Sequence, residues 1–271
     1  MDFIQLIFIS VTRGLLEFLP ISSTGHVIIL QKLLGLPETN EFLTVVLKFA
    51  AILASIYFYR KKIVEILTNT IKNIQKREFL TDKGIMIMIA TFPSLIIAFI
   101  ASKYLDVLQN STLIVAVNSI IFGTIFYLIE RYYANKPKIS PEKVSIKNLL
   151  VMGTVQGIAV APGVSRSGST TAAGLSQNLK IEDSVELSFL MGIPLLTIAT
   201  GYEVLKYGHT FSPEMIFSSV VGFIITFLFA LLSIRLTLGW LTKYGFKPFM
   251  IYRVIFGIVL IGLLMTGILA S

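Results

Sequence analysis

Cysteine is absent from this chain of 271 residues. Disulfides, thiolate catalysis and cysteine-held metal are therefore excluded. Charge is scarce as well: Asp, Glu, Lys and Arg make up 14% of residues, where a soluble domain carries about 25%. The long polar connections that a soluble domain of this size needs are also missing. No short apolar core with a small-residue cleavage site stands apart at the start, because residues 1–20 run straight into a polar motif. A retained first hydrophobic segment is expected, not a removable signal peptide.

What is present is apolar. The composition is 55% hydrophobic with a mean hydropathy of +0.82, and apolar runs long enough to cross a bilayer recur along the chain. A net charge of +8 would suit nucleic acid if it formed one face. It lies instead in short segments between the apolar runs, so the expected partner is the membrane, and no nucleic acid is expected.

Six unbroken apolar runs, at about 41–59, 84–101, 112–129, 183–200, 215–234 and 249–270, predict transmembrane helices. Two further apolar regions, 3–36 and 148–181, are interrupted at Pro20 to Gly25 and at Pro162 to Thr170. Each reads as two half-helices meeting at a turn. Broken backbone at membrane depth is tolerated only where protein or a water-filled cavity surrounds it, so these re-entrant hairpins mark where function is expected. The basic stretches 60–83, 130–147 and 235–248 are read as loops that assign the cytoplasmic side and touch anionic lipid. The segments 102–111 and 201–214, the latter holding Glu203 and His209, are read as external loops. Parity closes when both hairpins return to the side they entered, the first from outside and the second from inside.

The expected fold is therefore an all-α polytopic membrane protein, one integral membrane domain over 1–271. Its six transmembrane helices and two re-entrant helical hairpins form an inverted-topology repeat, about 1–129 and 148–271. RGLLEFLPISSTG (13–25) lies over QGIAVAPGVSRSG (156–168), both ending in a Ser-x-x-Gly turn. Such repeats place a site between the broken hairpins near the midplane. Gly153 and Gly157 suit close helix packing, and small residues of this kind permit a homodimer.

A helix start presents unpaired N–H groups and a positive dipole end, so a Gly- and Ser-rich turn that opens a helix suits phosphate. In PGVSRSGST, Ser165, Ser167, Gly168 and Thr170 surround Arg166, whose planar guanidinium fits a phosphate with two parallel bonds. In EFLPISSTGH, Glu17 precedes the break and His26 follows it, with Ser22, Ser23 and Thr24 between. Phosphoryl transfer needs a nucleophile, proton carriers and cationic stabilisation, and the two turns together supply all three. Lys48, in the middle of the first full crossing, should face a polar interior. Arg13 is spaced to pair with Glu17 at i+4.

EFLPISSTGH together with PGVSRSGST resembles the undecaprenyl-diphosphate phosphatase family, also known for bacitracin resistance. The stretches FLTVVLKFAAILASIYFYR, SFLMGIP (188–194) and FMIYRVIFG (249–257) extend the likeness over the full length. The resemblance implies hydrolysis of a C55 polyprenyl diphosphate to its monophosphate in the cell membrane, with a pocket open to the outer face. By the same matching, the family's carboxylate falls on Glu17, its nucleophilic serine on Ser23, its histidine on His26 and its phosphate-binding arginine on Arg166. Ser22, Thr24, Ser165, Ser167 and Thr170 match supporting positions. The chain departs from the family at Arg13, where Glu or Gln is usual, and at Lys48, where Gln is usual. The resemblance implies a divalent cation, Mg²⁺ or Ca²⁺, with Glu17 as a candidate ligand, and Arg13 puts that dependence in question. A transporter or flippase of phosphorylated polyprenyl lipid would share this architecture but needs no nucleophile.

Overall fold

The computed structural model describes residues 3–35, 40–77, 79, 81–105, 111–208 and 212–269, and among them there is no strand. A first helix pair, α1 (Phe3–Leu16) and α2 (Ser23–Leu33), is followed by α3 (Glu41–Phe58), α4 (Arg60–Gln75), α5 (Lys83–Leu105) and α6 (Thr112–Tyr133). A second pair, α7 (Ile146–Ile158) and α8 (Arg166–Ser176), is followed by α9 (Ile181–Tyr207), α10 (Ile216–Tyr244) and α11 (Lys247–Met265). The helices α3, α5, α6, α9, α10 and α11 are long and apolar enough to cross a membrane, and they coincide with the six expected runs.

Both pairs break where the sequence cannot continue a helix. Pro20 and Pro162 lack an N–H to donate and disfavour helical backbone in the residue before them. Each second helix then restarts on a serine cap. The Ser22 hydroxyl accepts from Gly25 N at 3.4 Å, and the Ser165 hydroxyl accepts from Gly168 N at 3.3 Å. Both caps hold left-handed backbone, φ 71° at Ser22 and 76° at Ser165. For a residue with a Cβ that conformation costs about 1–3 kcal/mol and persists only where its surroundings impose it.

The open ends of the two pairs lie at opposite ends of the bundle. Phe3 at the start of α1 meets Phe217 at the start of α10, and Lys32 near the end of α2 donates to Thr112 at the start of α6. The second pair closes at the other end, where Ile139, beyond α6, donates to the Asn178 carbonyl just after α8. Packing repeats as well, since α1 lies along α10 as α7 lies along α5. On α7 the backbone at Gly153 and Gly157 sits so close to Ala90 and Ser94 of α5 that a Cβ at either would collide with a main-chain carbonyl. These glycines therefore serve packing within the chain, as small residues do where lipid offers no hydrophobic drive between helices.

Three expectations are corrected. Residues 235–248, expected as a loop, lie almost wholly in α10, which continues to Tyr244, and α11, which begins at Lys247. Residues 60–83 are not simply a loop: Ile63, Ile66, Thr70 and Asn73 recur at helical spacing, and α4 packs that face towards α5. Glu203, expected in an external loop, belongs to α9, which continues to Tyr207. His209 lies outside the described residues.

Candidate active site

The two turns are bonded to each other. The Ser22 hydroxyl that caps α2 also accepts from Gly163 N of the second turn at 3.1 Å, and Ser167 of α8 donates back to the Leu19 carbonyl at 3.2 Å. Arg253 of α11 completes the junction. It is fully buried, and its guanidinium, with five N–H donors, meets five carbonyls. Nε reaches Ser119 at 3.1 Å, and Nη1 reaches Pro20 at 2.9 Å and Val164 at 3.1 Å. Nη2 reaches Asn118 at 3.1 Å and also Gly163. One side chain thus ties the first turn, the second turn and α6 together. Its contacts are carbonyl dipoles with no carboxylate among them, so it leaves positive charge at the meeting point. Sequence reading passed over Arg253; its signal was an arginine in the middle of an apolar run, which in a membrane must face a polar interior.

Beside this junction four predicted residues converge. Ser23, the first residue of α2, donates its hydroxyl proton to Glu17 Oε2 at 2.6 Å. The other oxygen, Oε1, lies 3.5 Å from Arg166 Nη2, and Arg13 Nε lies 3.8 Å from Oε2. The carboxylate thus sits between a hydroxyl and two guanidiniums contributed by both halves of the chain. The ion-pair distances are longer than a good N–H···O bond. Arg166 Nη1 and Nη2 and Arg13 Nε are accordingly buried donors with no hydrogen-bond acceptor. Unmet buried donors are costly, and an anion bearing several oxygens satisfies them. Gly192 of α9 makes room for Arg166: a Cβ there would stand 2.2 Å from Nη1.

His26 is not directed at Ser23. Its Nδ1 lies 2.8 Å from the Ser22 carbonyl, which can only accept, so in the neutral ring Nδ1 carries the proton. Nε2 then accepts from the Tyr252 hydroxyl at 2.7 Å, while the ring stacks on Phe256 with centroids 4.3 Å apart. Of Glu17 and His26, Glu17 is the one in contact with Ser23. Thr24 is exposed on α2. The remaining predicted hydroxyls hold the turn: Ser165 caps Gly168, and Thr170 donates to the Arg166 carbonyl at 2.9 Å. These bonds fix the backbone around Arg166. Gly168 packs against Pro20 and Phe126, where a Cβ would collide.

The sequence matches the family model described as bacitracin resistance protein BacA over residues 6–259. The chain belongs to that family. Relatives described as undecaprenyl-diphosphatase include one from Sulfurovum sp. (strain NBC37-1), 38% identical over 97% of this chain and 100% of the relative. Another, from Persephonella marina, is 36% identical over 96% of this chain and 98% of its own length. A third, from Methanococcus aeolicus, is 38% identical over the same shares. The region matched to the bacitracin resistance family encloses the whole constellation, from Arg13 to Arg253.

In this member of the bacitracin resistance family, Lys48 of α3 forms an ion pair with Glu203 of α9. Arg13 and Glu17 lie within its electrostatic reach. Glu203 supplies the countercharge that an intramembrane lysine needs, a partner the reading of 201–214 as a loop concealed. Glu17, with the Ser23 hydroxyl beside it, is the oxygen set present for a divalent cation, which needs few protein carboxylates when substrate phosphates complete its shell. Among the described residues no three His, Asp or Glu side chains gather. Glu17 is the carboxylate at the junction; its Oε2 accepts from Ser23, and Oε1 has only the 3.5 Å ion-pair contact with Arg166.

Proposed function

We propose that this protein is a membrane hydrolase that converts undecaprenyl diphosphate to the monophosphate and inorganic phosphate. That reaction recycles the carrier lipid for cell-wall polymers and confers bacitracin resistance. One observation carries the proposal: Ser23, Glu17 and Arg166, drawn from two separate turns, share one carboxylate beside unmet cationic donors. The names of the relatives agree with it.

In the proposed chemistry Ser23 Oγ attacks the terminal phosphorus while its proton passes to Glu17 Oε2. The bond from that phosphorus to the bridging oxygen breaks, and polyprenyl monophosphate departs with the electron pair. Water then attacks the phosphoserine, phosphate leaves, and Glu17 returns its proton to Ser23. Arg166 and Arg13 stabilise the charge on the transferring oxygens, with Arg253 adding positive potential behind them. His26 holds the start of α2 through the Ser22 carbonyl. Ser22, Thr24, Ser165, Ser167, Gly168 and Thr170 shape the two turns around the headgroup. Lys48, paired with Glu203, borders the site within electrostatic reach of Arg13 and Glu17. The protein sits as a multi-pass protein in the cell membrane with the site open to the outer face. The two halves, about 1–129 and 148–271, are inverted repeats; the matching caps and the opposed open ends support that reading.

The test is phosphate released from C55 diphosphate by detergent-solubilised protein, where a transporter or flippase has nothing to transport across. Wild type should release phosphate, and Ser23→Ala should lose about 10³-fold or more in kcat, as loss of a nucleophile does. Full activity in Ser23→Ala would rule out the covalent route in favour of direct attack by water. Absence of turnover in wild type would overturn the enzyme reading. Arg13, Arg166 and Lys48 are proposed to carry part of the work of a divalent cation. Unimpaired turnover in excess chelator supports this, and complete loss restored by Mg²⁺ defeats it.

A further inference from the structure

The helix α4 has none of its 16 residues buried. At 1.5 Å per residue it is about 24 Å long, too short to cross a hydrocarbon core of about 30 Å. Its rotation is fixed. Thr70 donates to Asp82 Oδ1 at 2.6 Å, Asn73 donates to Asp82 Oδ2 at 2.9 Å, and Ile63 and Ile66 pack against the main core. With that face turned inward, Val64, Leu67, Ile71 and Ile74 are presented outward, 61, 56, 62 and 48% exposed. Their i, i+3, i+7, i+10 spacing makes one continuous apolar stripe.

The face next to that stripe, away from α5, carries Lys61, Lys72 and Lys76, with Arg60 and Lys62 nearby and Glu65 as the acid of the helix. An apolar stripe bordered by lysines on a short helix is the pattern of a segment that lies in a bilayer interface. Connectivity supplies the location, because α4 leaves the membrane-crossing α3 through Tyr59 alone and leads back into the membrane-crossing α5. Asp82 belongs to this arrangement: burial works to raise its pKa, but hydrogen bonds from Thr70, Ile85 and Asn73 outweigh that and hold it below the usual carboxylate range.

We propose that α4 docks its Val64, Leu67, Ile71 and Ile74 stripe into the surface of the adjoining leaflet, with its lysines on anionic phospholipid headgroups. The apolar area favours lipid over water, and the charge selects the acidic headgroup over the zwitterionic one.

The absence of cysteine makes the test direct. Full-length protein carrying Leu67→Cys, Ile71→Cys or, as control, Thr68→Cys is labelled with an environment-sensitive fluorophore. It is reconstituted into vesicles of phosphatidylcholine, with or without one part in three phosphatidylglycerol, and retained phosphate release confirms the fold. Labels at 67 and 71 should shift to the blue and lose most of their intensity to a quencher borne on the lipid chain, more so with phosphatidylglycerol. The label at 68 should respond to aqueous iodide instead. Lys61→Gln, Lys72→Gln and Lys76→Gln together should erase the phosphatidylglycerol dependence. Iodide quenching at 67 and 71 in both vesicles would overturn the proposal and leave the stripe for a protein partner. Equal insertion with and without phosphatidylglycerol would overturn the assignment to anionic lipid.

Discussion

The turn at 17–25 and the turn at 159–168 restart their helices by the same device and then differ at the next residue. Ser22 and Ser165 cap α2 and α8 with nearly equal backbone angles, and each accepts from the glycine three residues on. The residue after the cap is Ser23 in one turn and Arg166 in the other, and both reach the same Glu17 carboxylate. One backbone, used twice, thus aims two first-turn side chains at one point. The first turn carries a hydroxyl and a carboxylate, and the second carries the charge. In the chemistry proposed above, two copies of the hydroxyl turn would leave the phosphate oxygens without a cation, and two copies of the arginine turn would supply no nucleophile.

This division can be attacked from the junction outward. Arg253→Met removes the donors shared by both turns and takes the Arg253 bonds from the Pro20, Gly163 and Val164 carbonyls of the turns, so it should cost about 3 kcal/mol or more of stability in detergent. It should also suppress phosphate release; a thermal unfolding midpoint within a degree of wild type would refute a structural role for Arg253. Arg166→Lys keeps the charge but loses the planar fork, and should reduce kcat/KM by about 10²-fold. If lysine served equally well, the second turn would need only charge and not geometry. Gly192→Ala pushes on the Arg166 guanidinium from α9, and should cost about 10-fold in kcat/KM through misplacement. Gly201→Ala, whose Cβ meets nothing within 4 Å, should leave the rate unchanged. The smallest effect separates the caps. Ser165→Ala should lose about 1 kcal/mol, and Ser22→Ala slightly more, because the second partner of Ser22 is Gly163 N of the other turn at 3.1 Å, whereas that of Ser165 is its neighbour Ser167 at 3.3 Å. Equal losses, measured as shifts of the unfolding midpoint, would mean that the bond between turns adds no more than the bond within one.

Much of this was visible in the residues. The six crossings were legible because lipid demands about 20 apolar residues in succession, and few other demands produce that pattern. The turns were legible through Pro20, Pro162 and the serines and glycines around them. What escaped were pairings between distant segments. Gly192 is an ordinary helix glycine until the Arg166 side chain is seen against it. Glu203 sits past the end of its apolar run, so counting hydropathy left it in a loop, although its purpose is Lys48 on another helix. The helix α4 was hidden because its lysines read as a basic cytoplasmic loop touching anionic lipid, and its two apolar stripes separate only when wound at 3.6 residues per turn. The direction of His26 was not legible, since nothing nearby in the chain announces Tyr252.

Arg253 also governs how this molecule can change over evolutionary time. A keystone touching two arches makes their histories interdependent. A substitution that reshapes Pro20 alters the seat that Gly163 and Val164 depend on, so tolerated replacements in one turn should come with compensating replacements in the other or in α11. Epistasis between such remote positions, in a scan of paired variants, would then trace a single guanidinium.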